Sequence, residues 1–337
     1  MMTRPQIARQ IRAGAGLIDA HTHLGADMAA FYNGDFPYAI SAEDHGVRLA
    51  HLGLERAVCF PFVYTNYFQL IAYRHGRFRR ATGSASRFPY EFENLRLCRE
   101  IYEAFPEFAG TLLPFAFFDP AREPAGQAAA LRRLARRYPL FGLKTASSYL
   151  RSPITALLGK GACLLDLAAE LDIPVTIHTS VLPADPWANV FDVLKVVAER
   201  PDVRFALAHT CRFDRRALDR AAALQNCFVD CAAFHIHCRL AVENHPAIAA
   251  KPHRFHADYR DHAAALQRIA AAYPVKILWG SDTPAHYWKS VFRDARGMEI
   301  RLNLACGPTT EADCLRKLPA QLARRIAHNN TVRFLFG

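Results

Sequence analysis

Leu17-Ile18-Asp19-Ala20-His21-Thr22-His23-Leu24-Gly25 is an apolar run that closes on two histidines one residue apart. Side chains alternate faces along a β-strand, so His21 and His23 share one face while Ile18 and Thr22 point elsewhere. Two imidazoles side by side are a chelating pair, although two satisfied interior histidines would give the same pattern. What separates the two is whether later strands end in further ligands.

Working outward, apolar runs recur at 54–61, 110–118, 140–146, 173–179, 204–210, 227–233 and 275–280. Between them lie a short helical stretch within 26–51 and helical segments at 91–105, 124–138, 161–171, 186–199, 214–224 and 261–272, with a closing helix at 311–327. Leu164, Leu167, Ala168 and Leu171 illustrate the i, i+3, i+4, i+7 spacing of a one-sided helix. Eight near-continuous apolar strands alternating with helices predict a parallel sheet covered on its outer side, and eight such units close into a (β/α)8 TIM-type barrel of the α/β class. No GxGxxG follows the first strand, which argues against a doubly wound open sheet. The chain, 1–337, reads as one domain. Long loops after strand two (62–90) and strand seven (235–259) are expected to cover the C-terminal face.

The nine cysteines lie singly, without a CxxC pair, in a chain too large to need disulfides, so they read as reduced and mostly buried. A Cys/His zinc site from Cys227, Cys231, His235, His237 and Cys238 is disfavoured, because strand geometry throws these residues in different directions. The net charge of +11 comes from arginines spread over helix faces, such as Arg132, Arg133, Arg136 and Arg137. With no nucleic-acid-binding motif present, the charge is expected to steer small anions rather than bind a nucleic acid. No apolar run approaches the roughly 20 residues of a membrane span, and no apolar segment follows Arg4, Arg9 and Arg12 as in a signal peptide. A cytoplasmic chain with a small-molecule substrate and no membrane partner is expected, and a homodimer is compatible with this.

Chemistry in such barrels sits at the C-terminal ends of the strands. Strand one ends in His21 and His23, strand four in Lys144, strand five in His178, strand six in His209 and strand eight in Asp282. Each follows apolar residues, where a polar side chain without a partner is costly. Imidazoles and a carboxylate suit Zn2+ or a similar divalent metal, one or two per chain. Such an ion brings the pKa of bound water to about 7, and Asp282 is placed to ligate it or to move the proton.

In chain order, Ile18-Asp19-Ala20-His21-Thr22-His23, Ile173-Pro174-Val175-Thr176-Ile177-His178, His209, Gly280-Ser281-Asp282-Thr283-Pro284 and the terminal His328-Asn329-Asn330 with Arg333-Phe334-Leu335-Phe336 complete a recognisable set. By these residues the chain resembles the amidohydrolase superfamily, in the amidohydrolase-2 branch that includes amino-carboxymuconate-semialdehyde decarboxylase-like enzymes. The resemblance implies that His21, His23, His178 and Asp282 bind a first metal. It implies that His209 ligates a second metal or orients the attacking water or substrate. In two-metal relatives a lysine at the end of strand four is carboxylated and bridges the ions. Lys144 is therefore either a carboxylated ligand, an ammonium pairing with a substrate carboxylate, or a packing residue beside Tyr149.

The two loops would choose the substrate. The first carries Phe62, Tyr64, Tyr67, Tyr73, Arg74 and Arg77, the second His235, His237, Arg239, His253 and Arg254. Tyr64, Arg74, His235 and His237 are the substrate-contact candidates, with packing aromatics and solvated arginines as the plainer reading. The expected function is metal-dependent hydrolysis of a C–N or ester/lactone bond in a small anionic molecule. The alternative is a non-oxidative decarboxylase or hydratase of a carboxylated aromatic or enoic acid on the same site. A metal- or nucleic-acid-binding protein without catalysis is disfavoured by the intact strand-end set.

Overall fold

The computed structural model describes residues 2–27, 39–62, 66–69, 72, 75–284, 287–293 and 296–337. Eight parallel strands run in chain order around one sheet: β1 (Ile18–Ala26), β2 (Arg56–Pro61), β3 (Leu112–Phe117), β4 (Gly142–Thr145), β5 (Val175–Ile177), β6 (Phe205–Leu207), β7 (Cys227–Asp230) and β8 (Ile277–Leu278). A two-residue strand, Ala39–Ile40, adds antiparallel to the end of β1. The sheet curls shut between β8 and β1, where the Ala20 amide donates to the Trp279 carbonyl at 2.9 Å and the Asp282 amide to the His21 carbonyl at 2.8 Å. This is the expected TIM-type barrel.

The outer layer forms where the sequence puts one-sided helices with caps. Ser41 accepts a hydrogen bond from the Asp44 amide at the start of α2 (Ala42–Leu52), and Gly53 ends that helix at a φ of 66° that disfavours any residue with a Cβ. Asp214 likewise caps α7 (Arg215–Ala223), which leads back to β7. Inside the barrel, Ile18, Ala20, Val58, Phe60, Leu113, Phe115, Ala206, Phe228 and Leu278 form a separate apolar core. Its lower end is closed by Ile7 and Ile11 of α1 (Arg4–Ala13) and by Phe334, Leu335 and Phe336 of the terminal helix Asn330–Phe336. All nine cysteines are free, and no described helix is long and apolar enough to cross a membrane.

Four details differ from the expectation. The His/Arg-rich segment after β7 opens with a helix, α8 (Phe234–Val242), whose buried face is Phe234, Ile236, His237, Cys238, Leu240 and Ala241. Its histidines hid an apolar stripe. The short helix α1 precedes the first strand where none was expected. The closing helix is broken before Pro319, which lacks the amide an uninterrupted helix would need. After β8 the chain makes an antiparallel hairpin, β9 (Tyr287–Arg293) and β10 (Glu299–Ala305), so the cover of the C-terminal face also includes a hairpin after strand eight.

Candidate metal centre and active-site cavity

The pairing of β1 with β2 shifts register between Asp19 and Thr22, as in a bulge. This local irregularity changes which residues face inward. Ile18 and Ala20 belong to the barrel core, and His21 and His23, one step out of phase, also point inward above them. Nε2 of His21 and Nε2 of His23 each lie 3.3 Å from Oδ1 of Asp282. His21 is 1% exposed and Asp282 8%. Close approach here is built into the backbone: a Cβ at Gly280 would stand 2.7 Å from Cβ of His21.

Two further carboxylates fix this group. Asp230, at the end of β7, accepts a hydrogen bond from Nδ1 of His21 at 2.9 Å on one oxygen, and from the His209 and Ala232 amides, both at 3.1 Å, on the other. Asp19 accepts from the amides of His21 at 3.1 Å and Ser281 at 2.9 Å, tying β1 to the strand-eight end. Because Nδ1 of His21 donates to Asp230, its Nε2 carries the lone pair. That lone pair faces the Asp282 carboxylate, so two acceptors converge, with the Lys144 ammonium 3.4 Å from Nε2 of His21. Burial and Lys144 push the His21 pKa down, yet Asp230 and Asp282 outweigh them and raise it. At Asp282 burial pushes the pKa up, and His21 and His23 overcome it to leave the carboxyl well below its usual range. Both directions mark a place that attracts positive charge. Two imidazoles and a carboxylate, one imidazole oriented by a second carboxylate, fit a divalent ion.

A second cluster stands beside the first. Nδ1 of His209 donates to the Ala232 carbonyl at 3.0 Å, so its Nε2 accepts from Nδ1 of His178 at 3.0 Å. Nε2 of His178 is then left to accept from Nη2 of Arg212 at 2.9 Å. On its other branch Nη1 of Arg212 donates to Nε2 of His237, whose Nδ1 donates to the Ala233 carbonyl at 2.8 Å. One direction of donation satisfies every ring. Burial, reinforced by Arg212, holds His178 and His209 well below the usual imidazole range and His237 at about 3, so all three are neutral. Arg212 reaches the site through an unusual backbone: His209, Thr210, Cys211, Arg212 and Phe213 all have φ between 47° and 64°, a left-handed turn without glycine. A left-handed helical conformation costs an L-residue about 1–2 kcal/mol.

A match to the amidohydrolase family model runs over residues 18–337, nearly the whole chain. The chain belongs to the amidohydrolase family. Solved structures with the same fold include a 2,6-dihydroxybenzoate decarboxylase complexed with 2,6-dihydroxybenzoate (12% identity, 95% of this chain and 99% of that one, TM-score 0.59). A dihydroxybenzoic acid decarboxylase from Polaromonas sp. JS666 with bound manganese and the inhibitor 2-nitroresorcinol aligns similarly (13%, 95% and 96%, 0.59). So does an amidohydrolase from Burkholderia multivorans with bound HEPES (13%, 95% and 99%, 0.58). No curated protein sequence matches the chain.

As in other proteins of barrel architecture, the cavity of this amidohydrolase lies at the C-terminal strand ends. It measures about 150 Å3, and His21, His23, Lys144, His178, His209, His237 and Asp282 all line it. Among the described residues, His21, His23 and Asp282 are the one set of three such donors close enough to share an ion, their ligand atoms lying within 4.8 Å of one another. His178 and His209 border the cavity but spend their nitrogens on Arg212, Ala232 and each other. Nζ of Lys144, 2% exposed, lies 3.4 Å from Nε2 of His21 and 4.5 Å from the centre of the Phe60 ring, and burial brings its pKa down to about 8.

The loop candidates scatter. Tyr64, Tyr73 and Arg74 lie outside the described residues. Tyr67 bonds through its hydroxyl to Glu123 and packs with Phe68 and Phe78, and Arg77 is exposed; among the described aromatics and arginines of that loop, Phe62 alone lines the cavity. His235 is turned from it and faces His262, Nδ1 to Nδ1, at 2.9 Å. Arg254 is structural, donating to the Ala241 and Ala249 carbonyls. Arg239 and His253 are exposed. The Cys227, Cys231, His235, His237 and Cys238 set does not converge. The residues not foreseen are Asp230, Asp19, Arg212 and Trp288. Asp230 was detectable as an acid ending the apolar run Cys227-Phe228-Val229, whereas Trp288 depends on the hairpin and Arg212 on the left-handed turn.

Proposed function

We propose that this protein is a metal-dependent, non-oxidative decarboxylase of a small carboxylated aromatic acid. The observation that carries the reading is the cavity: Phe62, Tyr149 and Trp288 contribute its aromatic wall, and Lys144 sits buried in it with no carboxylate in ion-pair reach among the described residues. A cavity of about 150 Å3 has room for one benzene ring, and a buried ammonium without a direct counter-ion calls for an anionic partner. The bound 2,6-dihydroxybenzoate and 2-nitroresorcinol of the fold relatives are rings of this kind, which supports the choice over hydrolysis.

His21, His23 and Asp282 would hold a divalent ion such as manganese or zinc, which supplies Lewis acidity toward an oxygen of the bound acid. The protein's own groups do the rest. Lys144 pairs with the substrate carboxylate and the aromatic wall fixes the ring plane, excluding water. A proton joins the ring carbon that bears the carboxylate, the bond to that group breaks, its electron pair returns to the ring and CO2 leaves. That proton comes from solvent, and the ionised Asp282 is the carboxylate placed to relay it, while Asp230 keeps His21 in one tautomer throughout.

The test is a panel of hydroxybenzoates, dicarboxylates, lactones and amides offered to metal-replete protein, following ring absorbance and CO2. Release of CO2 equal to acid consumed, stopped by a chelator, is expected. Turnover of a lactone or amide with no CO2 from any acid would overturn the reading. Hydrolysis remains the second reading because Lys144 stands at the end of β4 within 3.4 Å of a candidate ligand. In its two-metal form it would use a Lys144 carbamate, which 13C-bicarbonate labelling and NMR would reveal; decarboxylation expects an unmodified amine.

A further inference from the structure

We infer that the substrate carries two anionic groups and that the second docks on Arg212. The inference deepens the decarboxylase reading by adding a second subsite to the same cavity.

Arg212 is 4% exposed and lines the cavity wall. Its Nε donates to the Thr179 carbonyl at 2.9 Å, Nη2 to His178 at 2.9 Å and Nη1 to His237. These account for three of five N–H donors. Every partner is neutral: one carbonyl and two imidazole lone pairs whose protons are committed elsewhere. No carboxylate of the described residues lies within ion-pair distance, and Asp282, Asp185 and Asp230 act on the buried charge only from farther away, so it has no direct counter-ion. The left-handed turn from His209 to Phe213 adds its own backbone cost at the same place. Two independent costs converge on holding one guanidinium at the wall of one cavity. A scaffold role alone, orienting His178 and His237, would need only neutral donors.

Lys144 is the other buried cation without a direct counter-ion, Asp230 and Asp282 acting on it only from beyond ion-pair distance, and the two stand on different sides of a row of imidazoles. Lys144 touches His21, the His21 and His209 rings are 5.4 Å apart, and His209 is 4.7 Å from His178 and 4.9 Å from His237, the two rings that hold Arg212. One carboxylate cannot neutralise both. A rigid flat molecule with anionic groups at two ring positions does, and the planar fork of Arg212 suits a second carboxylate.

The test uses calorimetric titration of metal-replete protein with benzoate and with isophthalate, benzene-1,3-dicarboxylate. Isophthalate is expected to bind at least about tenfold more tightly. In Arg212→Met that preference should vanish while benzoate affinity stays within about twofold, and Arg212→Lys should restore part of it. Should Arg212→Met fail to fold, 15N-labelled arginine in the unmodified protein gives a second readout: isophthalate, and not benzoate, should shift one guanidinium resonance, absent from the spectrum of Arg212→Lys. An equal affinity for both acids, a preference surviving Arg212→Met, or a guanidinium spectrum blind to isophthalate would overturn the inference. If no acid loses CO2 yet binding depends on Arg212, only the decarboxylase reading falls; CO2 release without that dependence sinks the second subsite alone.

Discussion

Glu311 offers a sharp electrostatic test. It lies on the helix Pro308–Arg316, is 2% exposed, and receives the His235 amide at 3.0 Å and the Cys306 thiol at 3.5 Å on Oε1, while Oε2 is buried with no hydrogen-bond partner. Burial is the largest influence on its pKa; the two hydrogen bonds oppose it and the negative charge of Asp282 and Asp19 adds to it, and together they push the carboxyl from 4.5 up to about 8. The native state therefore keeps a proton that the unfolded chain releases above pH 4.5. The contribution of Glu311 to stability must fall as pH rises from 4.5 to about 8, and level off beyond. Glu311→Gln is neutral at every pH, so it should match the parent near pH 4.5 and gain on it by about 1.4 kcal/mol per pH unit, reaching about 5 kcal/mol above pH 8. Urea unfolding of both proteins at pH 5, 6, 7, 8 and 9 reads this directly, and contributions from all other groups cancel in the difference. Parallel stability curves across that range would refute the placement of a buried neutral acid between α8 and the helix carrying Glu311.

Three further outcomes concern the metal group. Asp230→Asn removes the acceptor that orients His21 while leaving the ring in place, and should weaken metal affinity about 10–100-fold in a competition against a coloured chelator; unchanged affinity would show that Asp230 is only structural. Asp282→Asn should abolish turnover and metal retention while the circular dichroism of the metal-free protein stays the same. Gly280→Ala places a methyl group 2.7 Å from Cβ of His21, so a destabilisation of about 1–3 kcal/mol is expected, with metal affinity falling too because the ligand is displaced; a variant as stable as the parent would contradict the close approach of β8 to β1.

The barrel was legible because its evidence is repetitive: eight apolar runs, each too short for a buried helix and each followed by a one-sided helix, admit few arrangements. The position of His21, His23, Lys144, His178, His209 and Asp282 at the ends of those runs follows from the same count, and all six border one cavity. What they do there does not follow from position. The expected four-ligand set groups His178 with His21, His23 and Asp282, whereas the structure commits both nitrogens of His178 to Arg212 and His209. That difference traces to a single residue in Thr210-Cys211-Arg212-Phe213, a stretch whose composition suggests an ordinary polar loop leading into α7.

Arg212 stays hidden because its placement breaks the local preferences on which sequence reading depends. A run of five left-handed residues without glycine has no propensity in its favour, and a buried guanidinium among neutral acceptors violates the hydropathy rule as well. Both departures persist because the surroundings hold them: the Ala249 and Phe255 amides bond to the Arg212 and Phe213 carbonyls at 3.0 and 2.8 Å, and Asp214 then caps the next helix. A packed framework that stabilises an unfavourable backbone and a charge without a direct counter-ion at one point of a cavity wall leaves that point poised for a ligand rather than for folding. The missing counter-charge must arrive with whatever enters the cavity, and so the residue least visible in the sequence becomes the one that most narrows the choice of substrate.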